Sequence, residues 1–158
     1  MGNQTLIYKE KLNKIINEIE IHLKRINEAF EELETKHKFP LNSGEFEEIL
    51  INKVSLAFAD QIIYRFSKAQ DSIGAKLFKT YLLYQGENVD KPFLDILDRF
   101  EKMKILNIDK WFLLREIRNE IANEYEDEDE KAMEILNSIY KYKSELNDIL
   151  EEIKKTIR

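Results

Sequence analysis

The stretch LNKIINEIEIHLKRINEAFEEL, residues 12–33, decides the fold. Leu12, Ile16, Ile19, Leu23, Ile26, Phe30 and Leu33 recur at alternating spacings of four and three, an a/d seam held for three heptads. Neither glycine nor proline interrupts it. With its flanks the pattern predicts a helix over residues 3–36, roughly 50 Å long at 1.5 Å per residue. Such a seam either packs inside a bundle or pairs with a second subunit.

The rest of the chain is built to match. Only four glycines and two prolines occur in 158 residues, so turns are few and elements long. KHKFPLNSGEFEE, residues 36–48, closes the first helix, and Asn42 or Ser43 caps the next. That second helix is predicted over about 45–84, with a kink near QDSIGAK, residues 70–76, where Gly74 weakens it. After QGENVDKP, residues 85–92, Asp90 caps a third helix over 92–106 that holds Pro92 in its first turn. Asp109 caps a fourth over 110–125, and a fifth covers about 128–157. No strand pattern competes. The expectation is an all-α protein: an antiparallel up-and-down helical bundle of about five helices with a long N-terminal helix, one domain over residues 1–158.

Composition removes several functions. Net charge is −6, whereas a general nucleic-acid coat protein is basic, because phosphate neutralisation supplies most non-specific affinity. A local basic cleft is compatible with that balance. With no cysteine, disulfides, thiol catalysis and zinc–thiolate sites are excluded. No apolar run approaches the ~18 residues of a membrane span. The start MGNQTLIYKEK does not read as a signal peptide, and Leu6 stands where a myristoylation signal needs Ser or Thr. The expected location is cytoplasmic, without membrane association. His22 and His37 lack companions at metal-ligand spacing, and no phosphate-binding glycine loop or nucleophile elbow occurs. Neither a metal nor a cofactor is expected.

The chemistry concentrates in the fourth helix. At about 100° per residue, Trp111, Leu114, Ile117, Arg118, Ile121 and Tyr125 fall on one arc, so Arg118 sits within the apolar face. A guanidinium there needs a partner. It pairs with a carboxylate on another helix, packs its stem on Trp111 with its head in water, or binds an anion in a cleft. Asn119 and Asn123 form an i, i+4 pair on a more polar face. Arg65, Lys68, Asp71 and Ser72 recur at helical spacing in the second helix, the pattern of a salt-bridged stripe.

RNEIANEY, residues 118–125, resembles the signature of the HEPN superfamily, closest to its HepT-type toxins and nucleotidyltransferase-partner proteins. That signature is Arg, four residues, His, one residue, Tyr, commonly with Asn after the Arg. Arg118, Asn119 and Tyr125 match it, and Asn123 occupies the His position. YRFSKAQDSIGAKLF, residues 64–78, is similar to a segment that these proteins carry in the preceding long helix. The resemblance covers about residues 45–150. It implies an antiparallel bundle that forms a homodimer, with the motif helices of two subunits lining one cleft. It also implies metal-independent RNA cleavage, the Arg on the scissile phosphate and the His moving protons. In HepT-type pairs a nucleotidyltransferase antitoxin attaches AMP to the motif Tyr. Carried over, Arg118 and the degenerate position Asn123 are the catalytic pair and Tyr125 is the modification site; Arg115, Asn119, Arg65, Lys68 and Asp71 are the candidate substrate-binding residues beside them.

The departure at Asn123 changes the expectation. A carboxamide does not titrate, so it cannot relay a proton from a ribose hydroxyl as imidazole does, and losing a general base costs about 10²–10⁴-fold. On an ideal helix Asn123 also lies about 140° round from Arg118. They share a site only if Arg118 reaches sideways, the helix frays near 123, or a dimer supplies the second member. The function expected is that of a toxin–antitoxin-type component, binding RNA or nucleotide in a dimer cleft with weak or no catalysis. The alternatives are a metal-independent endoribonuclease toxin and a protein-interaction module acting through the long first helix.

Overall fold

The structure is a computed structural model that describes residues 2–123 and 129–157. Helix α1 spans Gly2–Glu34, and all seven seam residues are buried, with Ile15 and Ala29 beside them. Each buried Leu, Ile or Phe contributes about 1.5–3 kcal/mol, so the stripe fixes which way α1 faces. It faces inward, against the chain's own helices. Leu6, Ile7 and Ile21 are the large apolar residues that α1 leaves exposed.

Four long rods surround this core. After α2, Ser43–Ile51, helix α3 runs Lys53–Ser72, passes through a π turn at Ile73–Leu77 and continues as α4, Phe78–Tyr84. The short α5, Phe93–Lys102, leads to α6, Ile108–Asn123, and α7 spans Asp129–Lys155. Contacts at two heights give each direction. His22 meets Arg65, while Arg25 and Ala29 share a groove with Ala57 and Phe58, so α1 and α3 are antiparallel. Tyr140 reaches Glu34 and Lys154 reaches Glu20, so α7 also opposes α1. Lys110 pairs with Glu145 and Lys131 with Glu120, which sets α6 against α7. Arg118 meets Asp71 and Trp111 meets Gly74, which sets α6 against α3. Among the described residues the fold is all-α and up-and-down.

Several boundaries differ from the sequence expectation. The second predicted helix is two helices, because Asn52 is extended (φ −105°, ψ 112°) and its Oδ1 accepts from the N–H groups of Val54 and Ser55. That side chain caps α3 at the point where α2 ends. Asn42, one of the two candidates, caps α2 by accepting from Glu45 N–H at 2.8 Å. Asp90 does not cap α5; Pro92 is itself extended (φ −56°, ψ 148°), and the helix begins at Phe93. α5 stops before 106 because Lys104 turns left-handed (φ 61°), which lets Ile105 N–H reach the Phe100 carbonyl at 3.0 Å and Lys104 N–H the Glu101 carbonyl at 2.9 Å. Asn107 rather than Asp109 caps α6, its Oδ1 accepting from Lys110 N–H at 3.0 Å. The irregularity expected at Gly74 is the π turn.

The Asn52 cap has a measurable weight. Asn52→Ala is expected to cost about 1 kcal/mol of unfolding free energy in urea denaturation, the usual loss for an N-cap side chain. An unchanged midpoint would show that packing, not the cap, imposes the break between α2 and α3.

Candidate functional site

The π turn and Gly74 build the floor of the site. A Cβ added to Gly74 would lie 3.0 Å from Trp111 Cζ2, tighter than an ordinary contact, so a larger residue there would press the indole away by a few tenths of an ångström. Trp111 is 1% exposed and leans on Phe78, with ring centroids 5.1 Å apart. Its Nε1–H has no hydrogen-bond partner among the described residues, an uncommon state for a buried donor. Above it opens a groove of about 640 Å³. Gln70, Asp71, Gly74 and Ala75 form one wall; Trp111, Arg115, Arg118 and Asn119 form the other; Phe93 from α5 closes one end.

Arg118 is half-buried and reaches across from α6 to α3. Its Nε donates to Asp71 Oδ1 at 2.9 Å and its Nη2 to Asp71 Oδ2 at 3.0 Å. Of the readings open in the sequence, the ion pair to a carboxylate on another helix is the one observed, and the partner is Asp71. The geometry is the two-pronged fork that guanidinium makes with carboxylate or phosphate. Asp71 is nearly half exposed, so water screens the pair and its worth is about 0–1 kcal/mol. Arg115 and Asn119 are exposed on the same wall and make no hydrogen bond or ion pair among the described residues.

Of the proposed binding residues, the groove brings together Arg115, Arg118, Asn119 and Asp71. Arg65 and Lys68 do not line it. Arg65 turns toward α1, where its Nη1 donates to His22 Nδ1 at 3.1 Å. An arginine can only donate, so His22 accepts at Nδ1 and, when neutral, carries its proton on Nε2. Lys68 holds its Nζ 5.7 Å from the centroid of the Tyr64 ring. α6 runs through Asn123, whose side chain lies outside the described residues, as does the whole of Tyr125.

Two groups escaped the sequence reading. Phe93 is half-buried, stacks on Phe78 (6.4 Å, 30°) and lines the groove. An aromatic directly after a loop proline was the available signal for Phe93. His37 also has neighbours that sequence spacing does not reveal: Nδ1 lies 2.7 Å from Glu45 and 3.9 Å from Glu48. The first separation is a hydrogen bond; two donors on one tetrahedral ion with bonds of about 2.0 Å sit about 3.3 Å apart.

Burial, then the charge of Arg65, then that of Lys68 hold the His22 imidazole below its ordinary value, against the pull of Glu18. The folded state therefore favours the neutral ring, and protonation at Nδ1 destroys the bond from Arg65. Stability is full above pH 6.5, where the unfolded imidazole is also neutral, and falls as pH drops through the lowered folded value. A melting temperature that declines from pH 7.5 to 5, with a shallower decline in His22→Gln, is the expected result. By contrast Arg118→Ala should cost no more than about 1 kcal/mol in urea. A larger loss would mark Arg118 as a structural strut.

Set beside family models, curated proteins and solved structures, the chain matches none of them.

Proposed function

We propose that the chain is a HEPN-type protein whose α3–α6 groove binds RNA through its phosphates without efficient cleavage. One observation carries this reading: Arg118 of the Arg-Asn pair is held as a bidentate fork at an open groove, with an uncommitted Arg115 one turn away. A fork that grips a carboxylate fits a phosphate equally well. The Asp71 carboxylate then occupies the place of the ligand, and an incoming phosphate displaces it. Arg115 adds a second charge, and Asn119 adds an amide that hydrogen-bonds sugar or phosphate oxygens.

The catalytic side is weak by the same logic. The groove walls offer guanidinium, carboxamide and one carboxylate, and the residue at the family's His position is Asn123. No imidazole is there to relay a proton between ribose and leaving group. In this reading a second copy of the chain sets its own groove alongside the first, and a cognate nucleotidyltransferase acts on Tyr125. The protein is then the RNA-binding member of a toxin–antitoxin-type pair.

Binding of a labelled single-stranded oligoribonucleotide in EDTA tests the proposal. Arg118→Ala is expected to weaken binding at least tenfold, and Asp71→Asn to strengthen it by freeing the fork. Two arginine–phosphate contacts predict a slope of about −1.4 in log K against log salt. Wild type should leave the RNA intact, and Asn123→His should gain cleavage. Unchanged affinity in Arg118→Ala would sink the reading.

A further inference from the structure

The same groove holds an aromatic ring that phosphate binding does not use. Phe93 is the first residue of α5 and closes one end of the cavity that contains Arg115 and Arg118. One side of its ring stacks on Phe78. Phe78 is fully buried and wedged against Phe100 and Trp111, with centroids 4.5 Å and 5.1 Å away. The ring is therefore anchored from below while it stays partly exposed where it lines the groove. We propose that Phe93 is a stacking platform for an unpaired base, which makes single-stranded RNA, not duplex, the ligand of this groove. The proposal rests on the phosphate reading of Arg118 given above.

The physics favours this pairing of parts. A nucleotide offers a charge and a flat apolar face a short distance apart, and single-strand binders meet it with cations beside aromatic rings. In an A-form duplex the bases already stack on one another, and side chains reach mostly phosphates and 2′-hydroxyls. A ring anchored beside two guanidinium groups then has nothing to stack on. The pattern continues along α3. At about 100° per residue, Tyr64 and Lys68 lie within about 60° of Asp71, on the groove side of the helix. Tyr64 is 53% exposed and Lys68 lies over its ring. Beyond the groove, where Asp71 sits beside Arg115 and Arg118, α3 thus adds one further cation and one further ring.

Fluorescence anisotropy with the full chain tests it, using three probes: a single-stranded oligoribonucleotide, a duplex of equal length, and the single strand with abasic sites. Wild type should prefer the intact single strand to the duplex about tenfold. Phe93→Ala, and Phe93→Leu as the variant that keeps apolar bulk, should each lose about tenfold on the intact strand. Neither should change duplex binding, and neither should lose more on the abasic strand. Equal losses on intact and abasic strands would mean that Phe93 only shapes the groove, which overturns the stacking role. Full affinity in Phe93→Leu with loss in Arg118→Ala would also overturn it, leaving the phosphate reading intact. Absence of RNA binding by wild type, or full affinity in both Phe93→Leu and Arg118→Ala, would overturn both readings.

Discussion

α1 must bury one apolar stripe along most of its length, and the bundle follows from that constraint. Residues from Leu12 to Leu33 need cover over about 30 Å, more than a short helix provides. The cover comes from the α3–α4 rod on one side and α7 on the other, both running against α1. α6 fills the remaining side by packing on α3 and α7. Charged residues occupy the outer faces, which accounts for a chain that is 35% charged yet has a continuous core.

The site takes its register from this packing. Trp111 packs closely against the rod where Gly74 lacks a Cβ, and that contact marks the height at which α6 lies along α3. Two turns further along α6 is Arg118; three residues back along the rod is Asp71. Because the helices are antiparallel, both offsets run the same way, and the two side chains meet. A core contact between two apolar groups thus sets the height at which two charged groups face each other. The arginine that looked misplaced on an apolar arc lies at the edge of that arc, where the packed face opens into the groove.

Features set by local chemistry were legible in the sequence, and features set by distant packing were not. The α1 seam declared itself because its period needs no partner to be recognised. Asn42 was readable as a cap because a loop with Pro40 precedes it. Asn52 was not, because Ile49–Ile51 and Val54–Leu56 continue an apolar pattern on both sides, and an asparagine inside such a run looks like an exposed helix residue. Asn107 lost to Asp109 for a similar reason: both cap well, and only the turn geometry chooses. Arg118 and Asp71 were each noticed, but their pairing spans 47 residues and depends on how α6 sits on α3. Arg65 and Lys68 share the helix with Asp71, yet Arg65 points to α1, because one helix presents its residues to several neighbours at once. Phe93 gave no signal beyond its place after Pro92, because the Phe78 ring beneath it comes from another helix.

The buried indole has one more consequence. Trp111 is the only tryptophan in the sequence, and it lies directly beneath the groove. Its ring is dry and its N–H is unbonded among the described residues. Excited at the red edge of its absorption, where the seven tyrosines scarcely absorb, the chain therefore emits from a single indole in apolar surroundings, next to the place where a ligand would sit. Occupancy, displacement of Asp71 and loosening of α6 on the rod all change the polarity around one ring. The protein carries its own optical gauge of that groove, readable without a label and without knowing in advance what fills it.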